Sequence, residues 1–242
     1  MCHGEENMNR YYISDLHFYH ESLNVQMDRR GFANREEMNA FMIRQWNSRV
    51  QPKDEVYILG DFSIAKGPAT NEIAKQLKGK LYLIEGNHDE RFLQDKNFDR
   101  SRFEWIRPYA EIHDRKRKVI LSHYPIFCYN GQFYRKKDGS PRTFMLYGHV
   151  HNTDDERLVR NFAAITRQTL RKQRGHEEPL PIPCQMINCF CMFSDYIPLT
   201  LDEWIENDAA LNRSSDQHGG DLLKIDHTFP FRNGDGDQIP AV

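Results

Sequence analysis

The 242-residue chain lacks an excess of charge of either sign: 33 lysines and arginines stand against 35 aspartates and glutamates, a formal net charge of -2. That balance gives no global electrostatic case for a nucleic acid or an anionic membrane as partner, so any such affinity has to be local. No apolar run approaches the roughly 20 residues that cross a bilayer. The opening MCHGEENMNR is acidic and polar where a secretion signal is basic and then apolar, so the expected compartment is the cytosol and no membrane partner is expected. Cysteine is scarce and unpatterned. Cys2, Cys128, Cys184, Cys189 and Cys191 make an odd number with no CxxC pair and no small-domain disulfide spacing, which points to reduced thiols, with Cys184, Cys189 and Cys191 read as buried apolar thiols and not as a zinc site. Internal repeats are absent as well. What remains is ordinary apolar content over a length that suits one α/β domain.

Against that background, five strand-like apolar runs end in the same unusual way. RYYISDLH ends in Asp15 and His17, EVYILGD in Asp61, and KLYLIEGNHD in Asn87, His88 and Asp89; KVILSH ends in His123 and TFMLYGHVH in His149 and His151. Amide, imidazole and carboxylate groups are poor strand formers, and a plain turn has no use for histidine. In α/β folds with buried sheets, ligands bind beyond the carboxyl ends of the strands, where side chains from different strands converge. The five endings therefore describe one site.

Helix signals alternate with these runs. Asn34 and Glu37 form a capping box ahead of Met38, Phe41, Met42 and Trp46, and Pro68, Ile73, Leu77 and Gly79 outline a second, shorter helix. A third is predicted over 155–175 with Leu158, Phe162 and Ile165 on its buried face, followed by the Pro-rich connector EEPLPIP. QMINCFCMF reads as a further strand, and Thr200 with Glu203 caps a last helix through Trp204 and Ile205. The expected organisation is one domain over 1–212, with a helical and Pro-rich insertion at about 155–184, and a polar tail over 213–242.

Imidazoles, carboxylates and one amide oxygen suit borderline to hard divalent ions, and there are enough of them for two. One partition gives Asp15, His17 and His151 to one ion and Asn87, His123 and His149 to the other, with Asp61 bridging. Two divalent ions bring four positive charges against two from Asp15 and Asp61. The site stays cationic, and an anionic phosphate ester is the substrate that such a clamp suits. Manganese ranks first among the ions, with iron, nickel, cobalt or zinc as alternatives.

DLH at 15–17, GD at 60–61, GNHD at 86–89, SH at 122–123 and GHVH at 148–151 together resemble the motif set of the calcineurin-like metallophosphoesterase family, in order and in spread. The resemblance covers 10–155 and, more faintly, 185–205. It implies an α/β fold, a four-layer α/β/β/α sandwich of two mixed β-sheets flanked by helices, with a dinuclear metal centre partitioned as above. It also implies that His88 acts near the leaving group, held by Asp89. The stretch between His123 and Gly148 is longer and more basic than in compact members.

The expected activity is metal-dependent hydrolysis of a phosphate ester, a diester in preference to a monoester, by a metal-bridging hydroxide, on a phosphorylated small molecule or nucleotide. Two other readings stay open. A nuclease would use the short YNGQFYRKKDGSPR segment as its basic, aromatic contact with nucleic acid. A non-catalytic binding module on the same fold would have lost ligands, and none is missing here. His20, three residues after His17, and Arg135, Lys136 and Lys137, in a loop expected to overhang the site, are candidate substrate contacts. His3, His113, His176, His218 and His227 sit in polar stretches with no partner motif and are ordinary surface or core imidazoles.

Overall fold

The computed structural model describes residues 8–173 and 175–216, so Cys2, His3, His218, His227 and nearly all of the expected tail lie outside the described residues. Two four-stranded sheets form the frame. The first contains β1 (Arg10–Ile13), β2 (Glu55–Ile58), β3 (Lys80–Ile84) and β4 (Phe103–Arg107) in that order, and every pairing is parallel. The second has β10 (Met186–Asn188), β7 (Thr143–Tyr147), β6 (Arg117–Ser122) and β5 (Tyr109–Asp114), parallel except for the β5–β6 hairpin. Only this second sheet is mixed, which corrects the expectation of two mixed sheets. Parallel neighbours need long crossovers, and in the first sheet α1 (Arg35–Arg49) and α2 (Gly67–Gln76) supply two of them.

Side-chain alternation on buried strands divides the core into three. Tyr11, Ile13, Val56 and Ile58 face Met38, Met42 and Trp46 of α1 and Ile73 of α2. Their neighbours Tyr12 and Tyr57 point the other way and pack with Val119, Leu121, Phe144 and Leu146 of the second sheet and with Trp204 of α5 (Leu201–Asp216). Ile120, Met145 and Met186 face Val159 and Ala163 of α4 (Asp154–Gln168). Strands covered on both faces read as continuous apolar runs, which is why they were conspicuous in the sequence. β5 and β6 are joined by a two-residue hairpin turn, within DRKRK at 114–118, in which Arg115 and Lys116 adopt φ of 44° and 67°.

Three local expectations need correction. In α4 the buried residues are Glu156, Val159, Ala163 and Thr166, while Leu158 and Ile165 are more than half exposed. The helix is rotated from its predicted face because Glu156 finds partners inside: it accepts from Tyr147 Oη at 2.8 Å and Asn188 Nδ2 at 3.0 Å and pairs with Arg160 at 2.7 Å. Beyond α4 the chain forms β8 (Leu170–Arg171) and β9 (Leu180–Pro181), a small antiparallel pair where helix and connector were expected, on the way across from β7 to its parallel neighbour β10. Finally, β10 stops at Asn188, before Cys189 and Cys191, where the strand was expected to continue. Cys128, Cys184, Cys189 and Cys191 are free thiols, and among the described residues no helix is long and apolar enough to cross a membrane.

Candidate metal centre

Strands β1, β2 and β3 of one sheet and β6 and β7 of the other release their candidate ligands into one cluster. Asp15, His17, Asp61, His149 and His151 all have positive φ, between 47° and 71°. For residues with a Cβ this conformation is disfavoured, and here it curls each backbone tightly as it leaves the strand or turn so that side chains converge. The motif glycines permit the approach. A Cβ on Gly60 would overlap the ring of His123, and one on Gly86 would overlap the backbone nitrogen of Asp61.

Candidate ligand atoms close enough to hold an ion occur at Asp15, His17 and His151 and again at Asp15, Asp61 and His123, and the side chains fall into two groups around them. Nε2 of His17 and Nε2 of His151 face one another at 3.2 Å, with Oδ1 of Asp15 at 3.6 Å from the latter. On the other side Oδ1 of Asn87 lies 2.9 Å from Nε2 of His123 and 2.9 Å from Nδ1 of His149. Asp61 sits between the groups: its Oδ2 is 3.3 Å from His17 Nε2 and 3.5 Å from His123 Nε2. Its Oδ1 accepts the backbone N–H of His88 at 2.8 Å, and Asp15 accepts that of His149 at 3.0 Å.

The donor set fits a cation. His123 donates from Nδ1 to the Leu59 carbonyl at 2.9 Å and His151 donates from Nδ1 to Asp28 at 2.7 Å, so in both rings Nε2 is the nitrogen turned toward the centre, available to a cation once its proton is displaced. His17 Nε2 and His151 Nε2 lie 3.2 Å apart, a contact that needs either a shared proton or a cation between the two nitrogens. Electrostatics reflect the crowding. Burial pushes His17 well below its usual range and raises Asp15, whereas Asp61 is held far below the carboxylate range by His123 and His17 despite its burial. Burial also works against a charged His123, but Asp61 and Asp15 outweigh it and raise the ring to about 9.

The remaining candidates fare differently. His88 is exposed, its ring 5.2 Å from that of His17 and 6.0 Å from that of His20. Asp89 does not hold it, which corrects the expected pairing. Asp89 is fully buried and accepts the backbone N–H groups of Asp61, Phe62, Ser63 and Gly86 at 2.8–3.4 Å, so it shapes two strand-end loops. Nδ1 of His20 accepts the Leu23 N–H at 3.3 Å and faces the Ser22 hydroxyl at 3.1 Å, which leaves Nε2–H as its free donor beside His88. The basic loop is anchored locally. Arg135 donates to the carbonyls of Gly139 and Pro181, both at 2.8 Å, and the Lys136–Ser140 backbone closes a turn, so the loop is tied to β9. Lys136 and Lys137 have no contact with the cluster among those described.

Sequence reasoning missed Asp28 and Arg30. Neither lies at a strand end, and MDRRG carries no spacing signal. Tyr124 was missed as well; it is half exposed, with its ring 4.4 Å from that of His149. Its only signal was its position next to His123.

A sequence model of the calcineurin-like phosphoesterase superfamily domain matches residues 8–166, about two thirds of the chain. The chain belongs to this superfamily. An uncharacterised protein of Methanocaldococcus jannaschii is 43% identical over 82 residues, 33% of this chain and 46% of the relative. A symmetrical bis(5'-nucleosyl)-tetraphosphatase of Buchnera aphidicola is 25% identical over 138 residues, 48% of this chain and 44% of the relative. The chain thus spans less than half the length of the curated relatives it matches. Among solved structures, a protein of unknown function from Aquifex aeolicus superposes with a TM-score of 0.54 at 24% identity, covering 83% of this chain and 99% of that one, a likeness of fold. This member of the calcineurin-like phosphoesterase superfamily therefore carries its candidate ligands on a fold shared with another chain.

Proposed function

We propose that the protein is a metal-dependent phosphoesterase of the cytosol, acting on a phosphorylated small molecule or nucleotide and preferring a diester to a monoester. The observation that carries the reading is the place of Asp61 Oδ2, within 3.3 Å of His17 Nε2 and 3.5 Å of His123 Nε2. One carboxylate oxygen serving both groups is what a two-ion centre requires. In this reading Asp15, His17 and His151 hold one ion, Asn87, His123 and His149 the other, and Asp61 both. Manganese remains first among the ions, since hard oxygen donors accompany the imidazoles. When bound, the ions would supply Lewis-acid polarisation of the phosphorus and a water that ionises near neutral pH.

The chain's own residues do the rest. The two groups lie on opposite sides of Asp61, so a phosphate between them is oriented with its leaving oxygen toward one side. His88 is exposed beside His17, where its ring can donate a proton to that oxygen, and Asp61 anchors its backbone. The neutral Asn87 ligand leaves the centre net cationic and attractive to anions. The three core clusters support reading the sheets and helices as the four-layer α/β/β/α sandwich, with the domain ending at the close of α5.

The test is a panel of chelator-treated protein reloaded with Mn, Fe, Ni, Co or Zn and assayed on bis(p-nitrophenyl) phosphate, p-nitrophenyl phosphate and a dinucleoside tetraphosphate. The last is included because of the tetraphosphatase relative. Metal-dependent turnover with the diester ahead of the monoester is expected. Inactivity of every metal form on all three substrates would remove the reading in favour of a binding module.

A further inference from the structure

Asp28 is 123 residues away from His151 in the chain, yet its Oδ1 accepts from His151 Nδ1 at 2.7 Å, one of the shorter side-chain contacts near the cluster. The carboxylate does not float. Its Oδ2 takes a fork from Arg30, Nε at 3.0 Å and Nη2 at 2.9 Å. The Arg30 side chain is fully buried, and two of its other bonds run to the backbone that carries the candidate ligands: Nη2 to the Asp15 carbonyl at 2.9 Å and Nη1 to the Leu16 carbonyl at 2.7 Å; Nη1 also meets Met42 Sδ at 3.9 Å. A buried guanidinium is expensive unless every donor direction is used, and here it joins the loop holding Asp28 to the backbone turn of Asp15 and His17. On its far side the His151 carbonyl accepts from Asn188 Nδ2 at 2.8 Å, so that both ring and backbone are fixed.

The contrast within the group is informative. His17 Nδ1 is buried with no hydrogen-bond partner among the described residues, so no group on its remote nitrogen orients the ring. His151 has a carboxylate that does. We propose that Asp28, locked by Arg30, is the positioning residue that makes Nε2 of His151 the donor nitrogen and thereby governs occupancy of the ion position formed by Asp15, His17 and His151. This rests on the two-ion reading above. A carboxylate on the remote nitrogen fixes the ring's orientation and strengthens the ligating nitrogen, and its loss usually weakens metal affinity by roughly 10–100-fold.

Calorimetric titration of chelator-treated full-length protein with Mn²⁺ and with Zn²⁺ tests it. Wild-type protein should show two binding events. The isosteric Asp28→Asn variant should weaken one by about 10-fold or more while leaving the other within about twofold. In a His151→Ala background the same substitution should change nothing further, because Asp28 acts through that ring. Unchanged binding in Asp28→Asn, or additive losses in the double variant, would overturn the assignment while leaving the two-ion reading intact; a wild-type protein that takes up no ion would overturn both. Should Asp28→Asn fail to fold, long-range ¹H–¹⁵N spectra of the loaded wild-type protein decide the matter. A His151 ring protonated at Nδ1 supports the proposal, and protonation at Nε2 ends it.

Discussion

Asp89 accepts the backbone N–H of Asp61 at 3.0 Å, joining the end of β3 to the loop after β2 beneath the candidate metal centre. The same carboxylate serves the N–H groups of Phe62, Ser63 and Gly86. Asp89→Ala would leave several buried donors unpaired at about 1–3 kcal/mol each, so a loss of at least about 3 kcal/mol is expected in urea unfolding. Metal affinity should fall with it, because Asp61 is displaced. An unfolding midpoint equal to wild type, with kcat alone reduced, would return Asp89 to a role beside His88.

His88 and His149 should separate experimentally. His88→Asn is expected to retain both ions and to lower kcat by on the order of a hundredfold, the range for loss of a general acid. The loss should shrink for a nitrophenolate leaving group, which needs little protonation, and stay large for an alkoxide. His149→Asn should instead weaken ion binding. If both variants lost metal alike, His88 would have to be reassigned as a ligand.

Removal of metal should make the protein's stability depend on pH in one direction. His123 in the folded, metal-free protein is raised to about 9, above its usual 6.5, through Asp61 and Asp15. Its charged form thus stabilises the fold fully below pH 6.5, and this contribution disappears as pH rises through 9. Asp89, raised to about 7 chiefly by burial and by the nearby Asp61, acts in the same sense at lower pH. Thermal scans of chelated protein should show Tm falling from pH 6.5 to 9.5, with a shallower fall once Mn²⁺ is present, since a ligating His123 is neutral throughout. A chelated protein whose Tm rises over that window contradicts the assigned coupling.

Replacing Arg135, Lys136 and Lys137 by Ala should leave KM for large and small phosphate esters within about twofold of wild type. The reason is that Arg135 is engaged with the carbonyls of Gly139 and Pro181. Proteolysis within 129–141 should accelerate instead, because the turn loses its tie to β9. A selective rise in KM for a nucleotide substrate would restore the loop to the site.

The five strand ends were legible because the signal is local: an apolar run that stops at a glycine, a carboxylate or an imidazole is visible without knowing what lies opposite. Helix caps were legible for the same reason, and Asn34 does accept the Glu37 N–H at 2.9 Å while Thr200 and Glu203 bond reciprocally. The face of α4 was not. Two stripes offset by one residue satisfy the same helical period, and the apolar one at Leu158 and Ile165 lost to one containing Glu156 because Tyr147, Asn188 and Arg160 wait inside the fold. Nor could sequence distinguish a histidine-orienting Asp89 from a loop-shaping one, since the choice depends on which N–H groups the folded chain brings within reach.

The types and order of the candidate ligands and the alternating α/β order follow from the sequence by itself, because hydrophobic patterning, capping and donor chemistry are properties of neighbouring residues. The partners were decided only by tertiary structure: Asp28 for His151, Asp89 for the Asp61 loop, Arg135 for β9. A hydrogen bond acts over about 3 Å of space and is indifferent to separation along the chain, so partners tens of residues apart are chosen only when folding brings them together.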